Sequence, residues 1–96
     1  MEINYTVVYH EKVVSDDLPH IDARFKQRIR EAVEQKLTSR PEIFGKPLRQ
    51  SLKGYRKLRV GDYRIVFRIA GGKVFVLTIQ HRSVVYQTLA KRVPGA

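Results

Sequence analysis

At 96 residues, with 43% hydrophobic and 29% charged residues, the chain can bury one modest core but not two, and its composition excludes wholesale disorder. No apolar run approaches the roughly 20 residues that cross a bilayer, and the start MEINYTVVYH lacks a basic segment followed by a hydrophobic one, so a single cytoplasmic domain over residues 1–96 is expected. The lack of cysteine excludes disulfides and thiolate metal sites, His10, His20 and His81 lack ligand spacing, and neither metal nor cofactor is expected, whereas 19 Lys and Arg against 9 Asp and Glu, a net charge of +10, favour a polyanionic partner over a membrane.

In chain order, Ile3 to Tyr9 (INYTVVY) is rich in β-branched and aromatic residues and predicts a first strand. A short helical turn is expected at Glu11 to Ser15. Asp16 and Asp17 then offer capping oxygens to a helix that Pro19 opens. Ile21, Phe25, Ile29, Ala32, Val33 and Leu37 follow at steps of three and four, with charges on the other side, which is the pattern of an amphipathic helix laid on a sheet.

Thr38 to Gly54, with Pro41, Gly45 and Pro47, holds no period and reads as a connecting loop, with one helical turn near Lys46 to Leu52. The period then becomes two. Strands at Tyr55 to Val60, Tyr63 to Ala70 and Lys73 to Gln80, joined by Gly61-Asp62 and Gly71-Gly72, form an antiparallel meander. Val84 to Val93 forms a last helix, stopped by Pro94 and Gly95. The fold class is α+β: a small twisted antiparallel sheet of an N-terminal strand plus the meander, with the long helix on one face and the short C-terminal helix near the other.

The stretch GYRKLRVGDYRIVFRI fixes where its charges go. With Gly61 and Asp62 as a two-residue loop, Val60 faces Tyr63, Leu58 faces Ile65 and Arg56 faces Phe67 on a largely apolar face. The opposite face holds Tyr55, Lys57, Arg59, Arg64, Val66 and Arg68, with Arg59 directly across from Arg64. Opposed like charges cost roughly a few tenths to 1 kcal/mol, a cost that arginines merely scattered over solvent would not incur. In the third strand Val74, Val76 and Thr78 are expected on the apolar face and Phe75, Leu77 and Ile79 on the basic side. The C-terminal helix then walls a concave site that receives Lys57, Arg59, Arg64 and Arg68, with Arg82, Tyr86 and His81 at its edge, and Lys91 and Arg92 near its rim.

These residues carry a resemblance. The segments "EAVEQKL", "KPLRQSLKGYRKLRVGDYRIVFRI", "VFVLTIQHR" and "SVVY" resemble the RelE/ParE superfamily of type II toxins over almost the whole chain, most specifically in "LRVGDYRIVF" followed about twenty residues later by "HR" and a tyrosine. The resemblance implies a toxin neutralised by a cognate antitoxin, monomeric when free. RelE-like members are ribosome-dependent mRNA endonucleases that use no metal, whereas ParE-like members lack the nuclease residues and block DNA gyrase. For the first activity it implies catalytic roles for Lys57, Arg64, His81 and Tyr86, and RNA or phosphate contacts from Arg59, Arg68, Arg82 and Tyr55. A glycine commonly precedes the histidine in the family; Gln80 stands there in this chain.

Overall fold

A computed structural model describes residues 4–93. Strand β1 (Thr6–Tyr9) leads into a π-helical turn (Val13–Asp17) and a 3-10 turn (Leu18–His20), and helix α1 (Ala23–Ala32) continues as a second π turn (Val33–Leu37). A short α2 (Pro41–Phe44), a two-residue β2 (Lys46–Pro47) and a 3-10 turn (Gln50–Leu52) precede β3 (Arg56–Val60), β4 (Tyr63–Ala70), β5 (Lys73–His81) and α3 (Val85–Arg92). The strands form one five-stranded sheet in the order β1-β5-β4-β3-β2. Ile3, and the helix stop expected at Pro94 and Gly95, lie outside the described residues.

The α+β class stands, with one correction to the sheet. It is mixed: β1 pairs in parallel with β5, placing Val7 opposite Val74 and Tyr9 opposite Val76. The helical connection after β1 makes this parallel return possible, since a parallel pair needs a long crossover and cannot use a tight turn. The strand β2, which the sequence reads as loop, adds an antiparallel edge with Lys46 opposite Lys57.

The apolar helix stripe is buried as its spacing requires. Ile21, Ile29, Val33 and Leu37 pack with Leu58, Val60, Ile65, Phe67, Val74, Val76 and Ile79 in one core cluster, flanked by Phe25 and Ala32. The helix starts later than Pro19, at Ala23, because the capping oxygen is that of Asp22: its Oδ1 accepts from Arg24 N at 2.9 Å. Asp17 is buried instead and has another task, described below.

A second cluster lies across the sheet. Val66, Val85, Leu89 and Val93 are buried there, with Leu48, Leu52, Tyr55 and Leu77 packed on them, so α3 covers the face opposite α1. β4 is therefore apolar on both sides at Ile65 to Phe67, as a central strand covered twice must be.

The first hairpin has the expected register in full: Arg56 to Phe67, Leu58 to Ile65, Arg59 to Arg64 and Val60 to Tyr63. The second does not. From Ala70–Lys73 to Phe67–Val76 the pairing is regular, but Val66 then pairs with Thr78 and Leu77 is left over as a bulge. One extra residue flips every later side chain. Ile79 joins the α1 core beside Ile65 instead of facing Arg64, Thr78 turns to the α3 side beside Val66, and Gln80 stands next to Arg64.

Candidate functional site

The basic strands and α2 enclose a cleft of about 280 Å³, lined by Phe44, Lys46, Lys57, Leu58, Arg59 and Arg64. Strand pairing gathers the cations: Lys46 lies opposite Lys57 and Arg59 opposite Arg64. The Arg59–Arg64 repulsion is relieved at the turn, where Arg64 Nη1 donates to the carbonyls of Gly61 and Tyr63, each at 3.0 Å. These carbonyl dipoles hold part of the Arg64 guanidinium at the β3–β4 turn. Gly61 itself takes a left-handed φ of 59°, which the two-residue turn needs and a side chain resists.

Tyr86, on α3, reaches the cleft-lining Lys57. Its hydroxyl accepts from Lys57 Nζ at 3.4 Å while its side chain stays 42% exposed. Lys57, Arg59, Arg64 and Tyr86, expected together from the sequence, are thus brought to one place. A phosphodiester in this cleft meets cations from two adjacent strands, with a phenol and an ammonium already within hydrogen-bonding reach of each other.

Other expected site residues lie elsewhere. Arg68 is stacked over Phe75, its guanidinium carbon 4.5 Å from the ring centroid, toward the far end of β4. Tyr55 is half-buried against the second core cluster. Arg82 sits at the β3–β4 turn, its amide donating to Asp62 O at 2.8 Å and its Nε lying 3.9 Å from Asp62 Oδ1.

His81 is the clearest departure. The bulge turns it to the α1 face, where it meets Tyr63 edge to face at 5.9 Å between centroids and its Nδ1 lies 2.8 Å from Ser83 Oγ. Lys57 and Tyr86 project on the opposite side of the sheet.

Sequence reasoning missed two groups. Phe44 and Lys46 reach the cleft because β2 pairs with β3, and the connection between those strands is too long for a turn rule to set their register. The other is the Asp17–Arg92 pair. Arg92, expected at the rim of the basic surface, has its side chain turned inward and only 9% exposed, donating to Asp17 Oδ2 at 2.6 Å from Nη1 and to Oδ1 at 2.7 Å from Nη2. Asp17 also accepts from Ile79 N, Thr78 Oγ1 and Gln80 Nε2, so one carboxylate fastens the bulge of β5 and the end of α3. From the sequence, only the place of Asp17 ahead of a helix that Pro19 opens is legible, and that signal reads as a cap.

Residues 7–86 match the family described as the ParE toxin of the type II toxin-antitoxin system, parDE. The chain is also 33% identical over 84 residues to Toxin RelE of Mycobacterium tuberculosis, covering 82% of this chain and 87% of that protein. The chain belongs to the RelE/ParE superfamily of type II toxins. This RelE/ParE toxin resembles the crystal structure of the RelBE toxin-antitoxin complex of Mycobacterium tuberculosis with a TM-score of 0.75 at 32% identity, over 83% of this chain and all of that one. An E. coli RelE mutant in the free state matches with a TM-score of 0.72 over 95% of this chain and 99% of its own, and at 18% identity that likeness speaks to the fold alone.

Proposed function

We propose that this toxin cleaves mRNA on the ribosome by driving an RNA 2′-hydroxyl onto the adjacent phosphate, leaving a cyclic phosphate and a free 5′-hydroxyl. The observation that carries the reading is the Lys57–Tyr86 hydrogen bond at the mouth of a cleft lined by Lys46, Arg59 and Arg64. The reaction needs a group to take the 2′ proton, cations for the pentacovalent phosphorane and a group to protonate the leaving 5′ oxygen. The nucleophile belongs to the substrate, so no metal-bound water is required. In this reading Lys57 and Tyr86 carry the proton transfers, and Arg59 and Arg64 hold the charge that grows on phosphorus. His81 has a supporting part, holding the β5–α3 turn through Ser83.

A cognate antitoxin is the expected protein partner, since the RelBE relative was solved as a toxin-antitoxin complex; the same reading takes the free toxin as a monomer that acts in the cytoplasm with the ribosome. The match to the ParE family favours a second reading, a toxin without nuclease activity that blocks DNA gyrase.

The test maps new mRNA 5′ ends in a bacterial translation extract after addition of the purified toxin. New ends inside translated codons, absent without ribosomes and formed about 100-fold or more slowly by Lys57→Ala and by Tyr86→Phe, are the expected result. Intact mRNA from a toxin that still arrests growth and inhibits supercoiling would overturn it in favour of gyrase.

A further inference from the structure

Phe44 has no role in the chemistry above, yet it is part of the cleft wall. Phe44 lines the cavity with Lys46, Lys57, Leu58, Arg59 and Arg64 and is 42% exposed. The short helix that carries it is held at several points. Pro41 is buried at its first turn, Gly45 N donates to Pro41 O at 3.0 Å, and Arg56 Nη1 donates to Glu42 O at 3.1 Å and Gly45 O at 2.9 Å. Gly45 lies so close to Phe67 that a side chain there would strike that buried ring. The ring is thus presented by a fixed element. Lys36 Nζ stands over it, 5.6 Å from its centroid, adding another cation beside the cleft.

The geometry points to Phe44 as a platform on which a base of single-stranded RNA stacks while the neighbouring phosphates lie on Lys46, Lys57 and Arg59. This inference deepens the nuclease reading and rests on it. An aromatic face set among cations is the combination that binds single strands with little sequence preference, because every base has a π-face and every nucleotide a phosphate. A docked protein segment would call for a continuous apolar surface. Ile43, the exposed apolar neighbour, does not line the cleft, and the residues that line it with Phe44 are Lys46, Lys57, Arg59 and Arg64 beside the buried Leu58, so its apolar surface is not continuous.

The experiment uses ribosomes programmed with a short mRNA that carries 2-aminopurine in the target codon and a 2′-O-methyl group that prevents cleavage, together with rates on the unmodified mRNA. Wild-type toxin is expected to change the 2-aminopurine fluorescence. Phe44→Ala and Phe44→Leu are expected to abolish that change and lower kcat/KM about 5- to 140-fold, while Phe44→Trp keeps both. The leucine variant retains an apolar side chain, so its failure separates stacking from simple apolar packing. If wild type cuts mRNA and Phe44→Ala cuts it equally well, the platform is overturned and the nuclease reading stands. Normal cutting by Phe44→Ala with escape from the antitoxin overturns it too, making Phe44 a protein contact. If wild type neither cuts nor perturbs the mRNA, both readings fall.

Discussion

Asp17 and Arg92 are 75 residues apart in sequence and joined by two hydrogen bonds in a buried ion pair. Neither charge has water to fall back on: the side chains are 0% and 9% exposed. Such a pair adds little net stability over an apolar pair of the same shape, but removal of one member strands the other. Asp17→Ala is therefore expected to lower the unfolding free energy by about 3 to 5 kcal/mol, read from urea denaturation. The double change Asp17→Ala with Arg92→Met should recover a large part, because no charge is then left buried. Equal losses in the single and double variants would mean that the backbone contact to Ile79, not the charge pair, is what matters. The same variant probes function, since Asp17 holds Arg92 at the end of the helix that brings Tyr86 to Lys57.

At the scale of elements, what the sequence makes legible are the features set by neighbours in the chain. The stripe from Ile21 to Leu37 and the register across Gly61-Asp62 follow from periods of 3.6 and two and from one tight turn, so Arg59 opposite Arg64 could be read directly. The bulge at Leu77, the parallel return of β1 and the edge strand at Lys46 depend on contacts between distant segments, for which the local pattern carries no signal. The alternation that would carry His81 to the basic face is interrupted at Leu77. Lys57, Arg59, Arg64 and Tyr86 precede that break or lie on a separate helix, and they do converge. The start of α1 yields a prediction of its own. The Arg24 backbone amide, and then its guanidinium, hydrogen-bond to Asp22 and lower its carboxyl below the ordinary 3.8. A carboxyl lowered on folding stabilises the native state above 3.8 and loses that contribution as pH falls through the lowered value. Wild type should thus exceed Asp22→Asn in stability at neutral pH, with the gap closing as pH drops below 3.8. A gap in urea midpoint that persists unchanged in acid would count against the charged cap.

At the scale of the whole molecule, the described acidic groups that form ion pairs do so away from the cleft. Among the described residues the ion pairs join Lys12 to Asp16, Arg24 to Asp22, Arg82 to Asp62 and Arg92 to Asp17, and none uses Lys46, Lys57, Arg59 or Arg64. Among the described residues, no carboxylate lines the cavity. With a net charge of +10 behind it, the cleft holds a positive potential that no ion pair among the described residues offsets. A polyanion that enters gives up its own condensed counterions, one share for each phosphate neutralised, and its affinity falls with salt accordingly. Four cleft cations on a single-stranded RNA predict a slope of about −3 in log association constant against log salt, from about 0.7 per phosphate. Lys46→Ala, at the edge strand and outside the Lys57–Tyr86 pair, should reduce that slope by about 0.7 without changing the order of preference among RNA sequences. The measurement is a salt titration of binding to a 2′-O-methyl oligonucleotide, for wild type and variant alike. A slope near zero would mean that the cations are satisfied within the protein, and that the repulsion built into Arg59 and Arg64 serves a partner other than nucleic acid.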